Sequence, residues 1–372
     1  MPLDQWFEKN LQIRKEKNLF RALKTSAGLI DFCSNDYLGL ARSEILFNLI
    51  ESRCRAINAK QNGATGSRLL SGNSILTEDV EHKLAAIFKG QSALILNSGY
   101  TANLAIFSSI PQKHDTILFD ELAHASIKDG ARLTLAHRYS FKHNDLNDLE
   151  SKLKRVKGKA FVAVESVYSM DGDECPLREL TALAARYGAI VILDEAHSTG
   201  VKGDNGSGLA TAMGLERNID IRLYTFGKAM GIHGACVVGS EKLVQYIINF
   251  ARPFIYTTAM TPHSIVAIES AFDYLHENLN LQDTLQGNIE AFVKSVKHLQ
   301  NRTSSDSAIQ TIIFPGNENV KKASSTLQQA GFDVRPVLSP TVPAGKERLR
   351  ICLHAYNTLD EISKLTSELK KL

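Results

Sequence analysis

The sequence predicts an α/β protein, with a large domain built on a mostly parallel sheet and a smaller C-terminal α/β domain. Three observations predict it. At 372 residues the chain has room for roughly two domains and a sizeable core. Through its middle, short apolar runs bounded by Gly, Asp or Ser alternate with amphipathic segments. From about Pro262 that alternation gives way to a long helical stretch and then a second, shorter set of strands and helices.

The strand candidates of the large domain are 93–96, 116–119, 160–164, 189–193, 222–226 and 235–238. Between them, 77–88 sets Val80, Leu84, Ile87 and Phe88 on one helical stripe. The segment 177–187 does the same with Leu180, Leu183 and Ala184, and Pro176 suits the start of a helix. After Pro262 the pattern predicts a helix to Arg302, strands at 309–314, 333–337 and 349–353, and helices at 320–330 and 359–372. Residues 1–24 mix Trp6, Phe7, Leu11, Ile13, Leu19, Phe20 and Leu23 with charged residues, which reads as an amphipathic helix lying against another surface. The resulting division is an N-terminal arm over 1–45, a large domain over 46–275 and a small domain over 276–372.

Composition narrows the function. Lys plus Arg number 43 and Asp plus Glu 40, a net charge of +3 that is too balanced for a protein living on phosphate backbones. No apolar run approaches the roughly 18 residues of a membrane span, and the N-terminus lacks the continuous apolar stretch of a secretory signal. The five cysteines are scattered, with no C-x-x-C pair, so neither a disulfide framework nor a metal cluster is expected. The expectation is a reduced, cytoplasmic protein that binds neither nucleic acid nor membrane.

Ligands of open α/β sheets bind beyond the carboxyl ends of the strands, and three constellations fall there. The 189–193 run delivers Asp194-Glu195-Ala196-His197, and strict alternation would send Asp194 and Ala196 one way and Glu195 and His197 the other unless a loop has begun. An Asp-Glu-Ala-His box also occurs in nucleic-acid-dependent ATPases, but this chain has no G-x-x-x-x-G-K-[ST] loop to hold the phosphates. The second constellation is Lys228, flanked by Thr225-Phe226-Gly227 and Ala229-Met230-Gly231, which predicts an amine facing a closed site. The third is a pair of small-residue turns. Asn97-Ser98-Gly99-Tyr100-Thr101-Ala102-Asn103 opens a helix whose first amides suit a phosphate, and Gly63 to Gly72 is hydroxyl-rich. A phosphate at Gly99, a ring nitrogen facing Asp194 and a carbonyl captured by Lys228 together describe pyridoxal 5′-phosphate.

Six motifs in order then resemble one family. They are Asn35-Asp36-Tyr37-Leu38-Gly39-Leu40, Gly66-Ser67-Arg68-Leu69-Leu70-Ser71-Gly72, His124-Ala125-Ser126, Glu165 to Asp173, Asp194-Glu195-Ala196-His197 and Thr225-Phe226-Gly227-Lys228. From about Ile30 to the C-terminus the chain resembles the α-oxoamine synthases, which are fold type I pyridoxal-phosphate transferases. The resemblance implies that Lys228 holds the cofactor and moves the substrate's α-proton. Asp194 would keep the ring nitrogen protonated, His197 would bond the ring oxygen, and His124 would stack on the ring. Ser98, Gly99, Tyr100, Ser169 and Thr225 would complete the cofactor site, with Thr257 or Thr258 reaching a phosphate across a homodimer interface. Arg350, helped by Asn35, would take the amino-acid carboxylate through its planar fork.

Within the family the likeness is greatest to the branch serving biotin synthesis. It implies a decarboxylating condensation of L-alanine with a pimeloyl thioester, carried by coenzyme A or a carrier protein. Two positions depart from that branch: Leu338-Ser339 stand before Pro340-Thr341-Val342-Pro343 where Arg-Pro is common, and Asn357 stands where a histidine is common. The alternatives are a glycine- or serine-dependent synthase, an aminotransferase of the same fold, and a non-catalytic or nucleic-acid-binding protein that keeps the fold.

Overall fold

The computed structural model describes residues 2–23, 25, 28–58 and 61–372. In chain order its strands are β1 (Ile30–Asp31), β2 (Ser92–Leu96), β3 (Thr116–Asp120), β4 (His137–Phe141), β5 (Ala160–Glu165) and β6 (Ile190–Asp194). They continue with β7 (Ile221–Thr225), β8 (Ala235–Gly239), β9 (Ile309–Ile313), β10 (Phe332–Asp333), β11 (Arg335–Val337) and β12 (Arg348–Cys352). The large sheet has the order β2-β8-β7-β6-β5-β3-β4. It is parallel except at β8, which runs antiparallel to both β2 and β7. The six strands expected in this sheet are all present. The seventh, β4, carries no apolar run that would predict it, because it lies on the edge, where four of its five residues are exposed.

Helices cover both faces of that sheet, and the two-residue period of each strand divides its side chains between them. Phe161, Ala163, Ile192 and Leu223 pack on one face against Ala102, Ala105, Ile106 and Phe107 of the Gly99–Ser109 helix. Val162, Val164, Val191 and Leu193 pack on the other face with Leu149, Leu177, Leu180 and Leu183. The Gly99 face decides the site, because Glu165, Asp194 and Thr225 continue the same alternation to the ends of β5, β6 and β7.

The chain divides into two compact units, one of 35–169 and 173–285, the other of 1–34, 170–172 and 286–372. These differ from the expected boundaries. The first 34 residues belong with the C-terminal unit because β1 adds to β10 in parallel and Phe32 O accepts the Cys352 N–H. The Pro262–Glu277 helix stays with the large unit, fastened by Asp273 to Arg53 at 2.7 Å, which moves the break beyond 275. The expected helix to Arg302 is two helices, Pro262–Glu277 and Asn280–Ser295, parted at Asn278. The expected strand at 333–337 is likewise two, β10 and β11. In the smaller unit, β11, β12 and β9 form an antiparallel sheet, and Asp171 pairs with the buried Arg348 of β12. The N-terminal helix spans Leu3–Glu16 and buries none of its residues. Met1 and Lys24, the ends of the segment read as amphipathic, lie outside the described residues. No helix among the described residues is long and apolar enough to cross a membrane.

Candidate active site

A cavity of about 300 Å³ opens at the carboxyl ends of the parallel strands of the large unit. Ser98, Gly99, Tyr100, His124, Asp194, Thr225 and Lys228 line it, with Asn97, Asn103, Ser126, Glu165, Ala196 and His233. Seven of the residues singled out in the sequence therefore share one cavity. His197 joins them through Lys228, whose Nζ lies 2.8 Å from its Nε2.

At one end the Gly99–Ser109 helix begins. Ser98 caps it, its Oγ accepting the Thr101 N–H at 3.1 Å, which leaves the Gly99 and Tyr100 amides at the open end. A Cβ on Gly99 would collide with Thr225 Cγ2, so glycine is what lets the helix start close against the end of β7. The Thr225 Oγ1 hydroxyl is buried with no hydrogen-bond partner among the described residues. A buried, unsatisfied hydroxyl beside free helix-terminal amides suits an anionic oxygen ligand such as a phosphate. Gly99→Ala is accordingly expected to weaken pyridoxal-phosphate affinity at least about tenfold in a spectroscopic titration.

At the other end Asp194 is buried, accepting the Ala196 N–H on Oδ1 at 2.9 Å and Asn103 Nδ2 on Oδ2 at 2.8 Å. Asn103 gives its second hydrogen to Ser126 Oγ at 2.9 Å, and Ser126 Oγ lies 2.7 Å from His124 Nδ1. Since Nδ1 also accepts the Ser126 N–H at 3.2 Å, the His124 proton sits on Nε2. Burial, reinforced by the charge on Lys228, pushes the His124 pKa down and keeps the ring neutral.

The direction of His197 corrects the alternation read from the sequence. β6 ends at Asp194 and a turn begins, in which Glu195 O accepts the Ser198 and Thr199 N–H groups. Glu195 turns away into the protein, taking the Leu209 and Ala210 amides at 2.9 and 2.8 Å. His197 instead returns to the site side, between Lys228 and Tyr37, whose hydroxyl is 2.7 Å from Nδ1. Tyr37 gives its proton to Asn35 Oδ1 at 3.0 Å, so Nδ1 carries the His197 hydrogen and Nε2 accepts from Lys228.

Other singled-out residues stand apart from this lining. Ser169 is buried in the turn after β5, Asn35 contacts Tyr37, and Thr258 O accepts Asn97 Nδ2 at 3.1 Å. Thr257 lines a separate, small pocket with Arg68 and Phe254. Arg350 lies on β12 of the smaller unit, with Nη1 2.8 Å from Cys352 Sγ. Asn103, Ser126 and Glu165 lie inside the sequence motifs, where nothing in the sequence gives them a role. Only the strand register and the helix start reveal why they matter.

On the opposite face of the sheet, His143 joins Asp120 at 2.9 Å and Asp173 at 2.7 Å. Burial disfavours its charge, but hydrogen bonds to both carboxylates prevail and raise its pKa to about 10. The stability this gives is complete below the ordinary histidine pKa near 6.5 and is lost as pH rises through about 10. His143→Asn should cost about 3 kcal/mol at pH 7 in urea unfolding, with the gap to the native protein closing by pH ~11.

The arrangement of phosphate cradle, acid for a ring nitrogen and cavity-lining lysine fits pyridoxal phosphate, and the comparisons with known proteins agree. Residues 27–369 match the aminotransferase class I and II family, to which the chain belongs as a fold type I pyridoxal-phosphate enzyme, an acyltransferase of the α-oxoamine synthase group. Among its relatives, the 8-amino-7-oxononanoate synthase of Emericella nidulans is 38% identical, the alignment covering 95% of this chain and 92% of that protein. The structure of 8-amino-7-oxononanoate synthase from Francisella tularensis superposes with a TM-score of 0.78 and 31% identity, over 92% of this chain and 98% of that one. Serine palmitoyltransferase from S. paucimobilis, in a complex with a pyridoxal-phosphate–myriocin aldimine, superposes with a TM-score of 0.89 and 27% identity, over 100% of this chain and 98% of that one.

Proposed function

We propose that this protein condenses L-alanine with a pimeloyl thioester, releasing carbon dioxide and giving 8-amino-7-oxononanoate for biotin synthesis. The observation that carries this reading is the 38% identity, over nearly the whole chain, to a relative bearing that name. The bound cofactor supplies a protonated pyridine ring that withdraws electrons from the amino-acid carbon. Lys228, its Nζ oriented by His197 Nε2, would hold that cofactor and carry the α-proton. Asp194 would keep the ring nitrogen protonated, and the neutral His124 would stack on the ring. Ser98, Gly99, Tyr100, Ser169 and Thr225 would hold the remaining polar atoms of the cofactor. Arg350 and Asn35 take the amino-acid carboxylate. The working form is a cytoplasmic homodimer in which Thr257 or Thr258 of the second copy reaches the phosphate.

A second cavity bears on the acyl donor. It measures about 410 Å³ within the smaller unit and sets Arg14 and Arg21 among Phe20, Met170, Val337 and Leu338. An apolar wall with arginines suits an aliphatic chain ending in a carboxylate. These arginines offset the missing Arg-Pro at Leu338-Ser339. Asn357, the other departure, accepts the His354 N–H at 3.0 Å and gives Nδ2 to Asp31 O at 3.2 Å, a packing role.

The test is thioester consumption with matched pairs: alanine with pimeloyl donor, glycine with succinyl or acetyl donor, and serine with palmitoyl donor. Turnover of the first pair alone is expected, and turnover of only the others would overturn the reading. The serine pair is included because the fold follows serine palmitoyltransferase with a TM-score of 0.89. Arg14→Ala with Arg21→Ala should raise KM for the pimeloyl donor about tenfold or more and leave an uncharged acyl donor of equal length unaffected.

A further inference from the structure

Beside Asp194 stands a carboxyl to which the acyl-transfer reading gives no task. Glu165 ends β5, and the parallel register sets it directly against Asp194 on β6. Both side chains leave the sheet on the face of the Gly99–Ser109 helix, and both line the cofactor cavity. Glu165 is 2% exposed and Asp194 5%. Two carboxyls so placed do not both ionise readily, since each charge lacks water and meets the other.

The donors around them decide which one is charged. Asp194 receives two, the Asn103 amide and the Ala196 N–H, one on each oxygen. Among the described residues Glu165 receives one, the His124 N–H at 2.5 Å on Oε1. A neutral carboxylic acid needs no more than that: its carbonyl oxygen accepts and its other oxygen carries the proton. The remaining charges that act on Glu165 are Lys228, which favours ionisation, and Asp120, which opposes it; Lys128 on the Ala125–Arg132 helix is attracted to it as well.

We propose that Glu165 is a positioning residue that keeps its proton, so that the Glu165–Asp194 pair presents a single negative charge to the cofactor ring. A second negative charge in the cavity would repel the anionic cofactor and spoil the match to one ring N–H. Burial first, and then the Asp194 charge, raise the Glu165 pKa to about 8, so the device works at neutral pH and fails in mild alkali. The proposal depends on the cofactor class and not on which amino acid or thioester is used.

The experiment needs no substrate. Pyridoxal-phosphate affinity is measured against pH for the wild type, Glu165→Gln and Glu165→Ala. Glutamine copies the neutral acid, accepting the His124 N–H and offering a donor where the acid has its hydroxyl. The wild-type affinity is expected to weaken roughly tenfold as pH rises through about 8. Glu165→Gln should match it near pH 7 within about threefold and lack that alkaline fall. Glu165→Ala should bind more weakly at every pH, also without the fall. Infrared difference spectra of the cofactor-loaded wild type across the same pH range should show a protonated carboxyl disappearing, a band missing from Glu165→Gln. Wild-type and glutamine curves that run parallel, an alanine variant that keeps the alkaline fall, or an infrared band unchanged by Glu165→Gln would each overturn the proposal.

Discussion

Replacing Lys228 with alanine is expected to abolish turnover, by at least about 10³ in kcat, while leaving the fold intact. The lysine is half-buried, lines the cofactor cavity and has its Nζ 2.8 Å from His197 Nε2. Among the described residues no other lysine lines that cavity, so none of them can supply the amine. Lys228→Arg should fail equally, because a guanidinium keeps the charge but offers no nucleophile near neutral pH. The unfolding midpoint should move little, since the truncated side chain is half-buried at a cavity wall and lies outside the apolar core. The decisive measurement is mass spectrometry after borohydride treatment of protein loaded with pyridoxal phosphate. The wild type should carry the cofactor irreversibly on the peptide containing Lys228, and both variants should return the mass of the bare chain. A variant that still fixes the cofactor would place the attachment elsewhere.

Much of this was legible in the sequence, for a definite reason. Buried parallel strands must be apolar and short, so 160–164 and 189–193 announced β5 and β6, and polar residues just past them announced the site. The exposed edge strand β4 obeys no such rule and stayed hidden. Motifs named Asp194, Lys228, Gly99 and His124, but they could not reveal the register that sets Glu165 against Asp194. Nor could local alternation place His197, because the turn after Asp194 resets the direction of the following side chains. The N-terminal arm was assigned by its place in the chain, whereas β1 pairs with β10, more than three hundred positions away. Pairing over such separations leaves no local pattern to read.

Asp194→Asn is expected to lower kcat about 10³-fold and to weaken cofactor binding, even though the substitution preserves size. The native carboxylate gives one oxygen to the Ala196 N–H and the other to Asn103 Nδ2. An amide has a single accepting oxygen, so one of these two donors must lose its partner in a buried place, and the new NH2 group faces a donor. If Asn103 is the one displaced, Ser126 Oγ loses its donor, and the hydroxyl bonded to His124 Nδ1 is no longer held in place. The charge is lost as well, and under the proposed function that charge holds a proton on the cofactor's ring nitrogen. These two consequences can be told apart. Ser126→Ala breaks the chain from Asn103 to His124 while leaving the charge in place, and it should raise KM more than it lowers kcat. Asp194→Asn should do the reverse, and lowering the pH should not restore it. Equal losses in the two variants would mean that orientation of His124, rather than the charge of Asp194, limits the reaction.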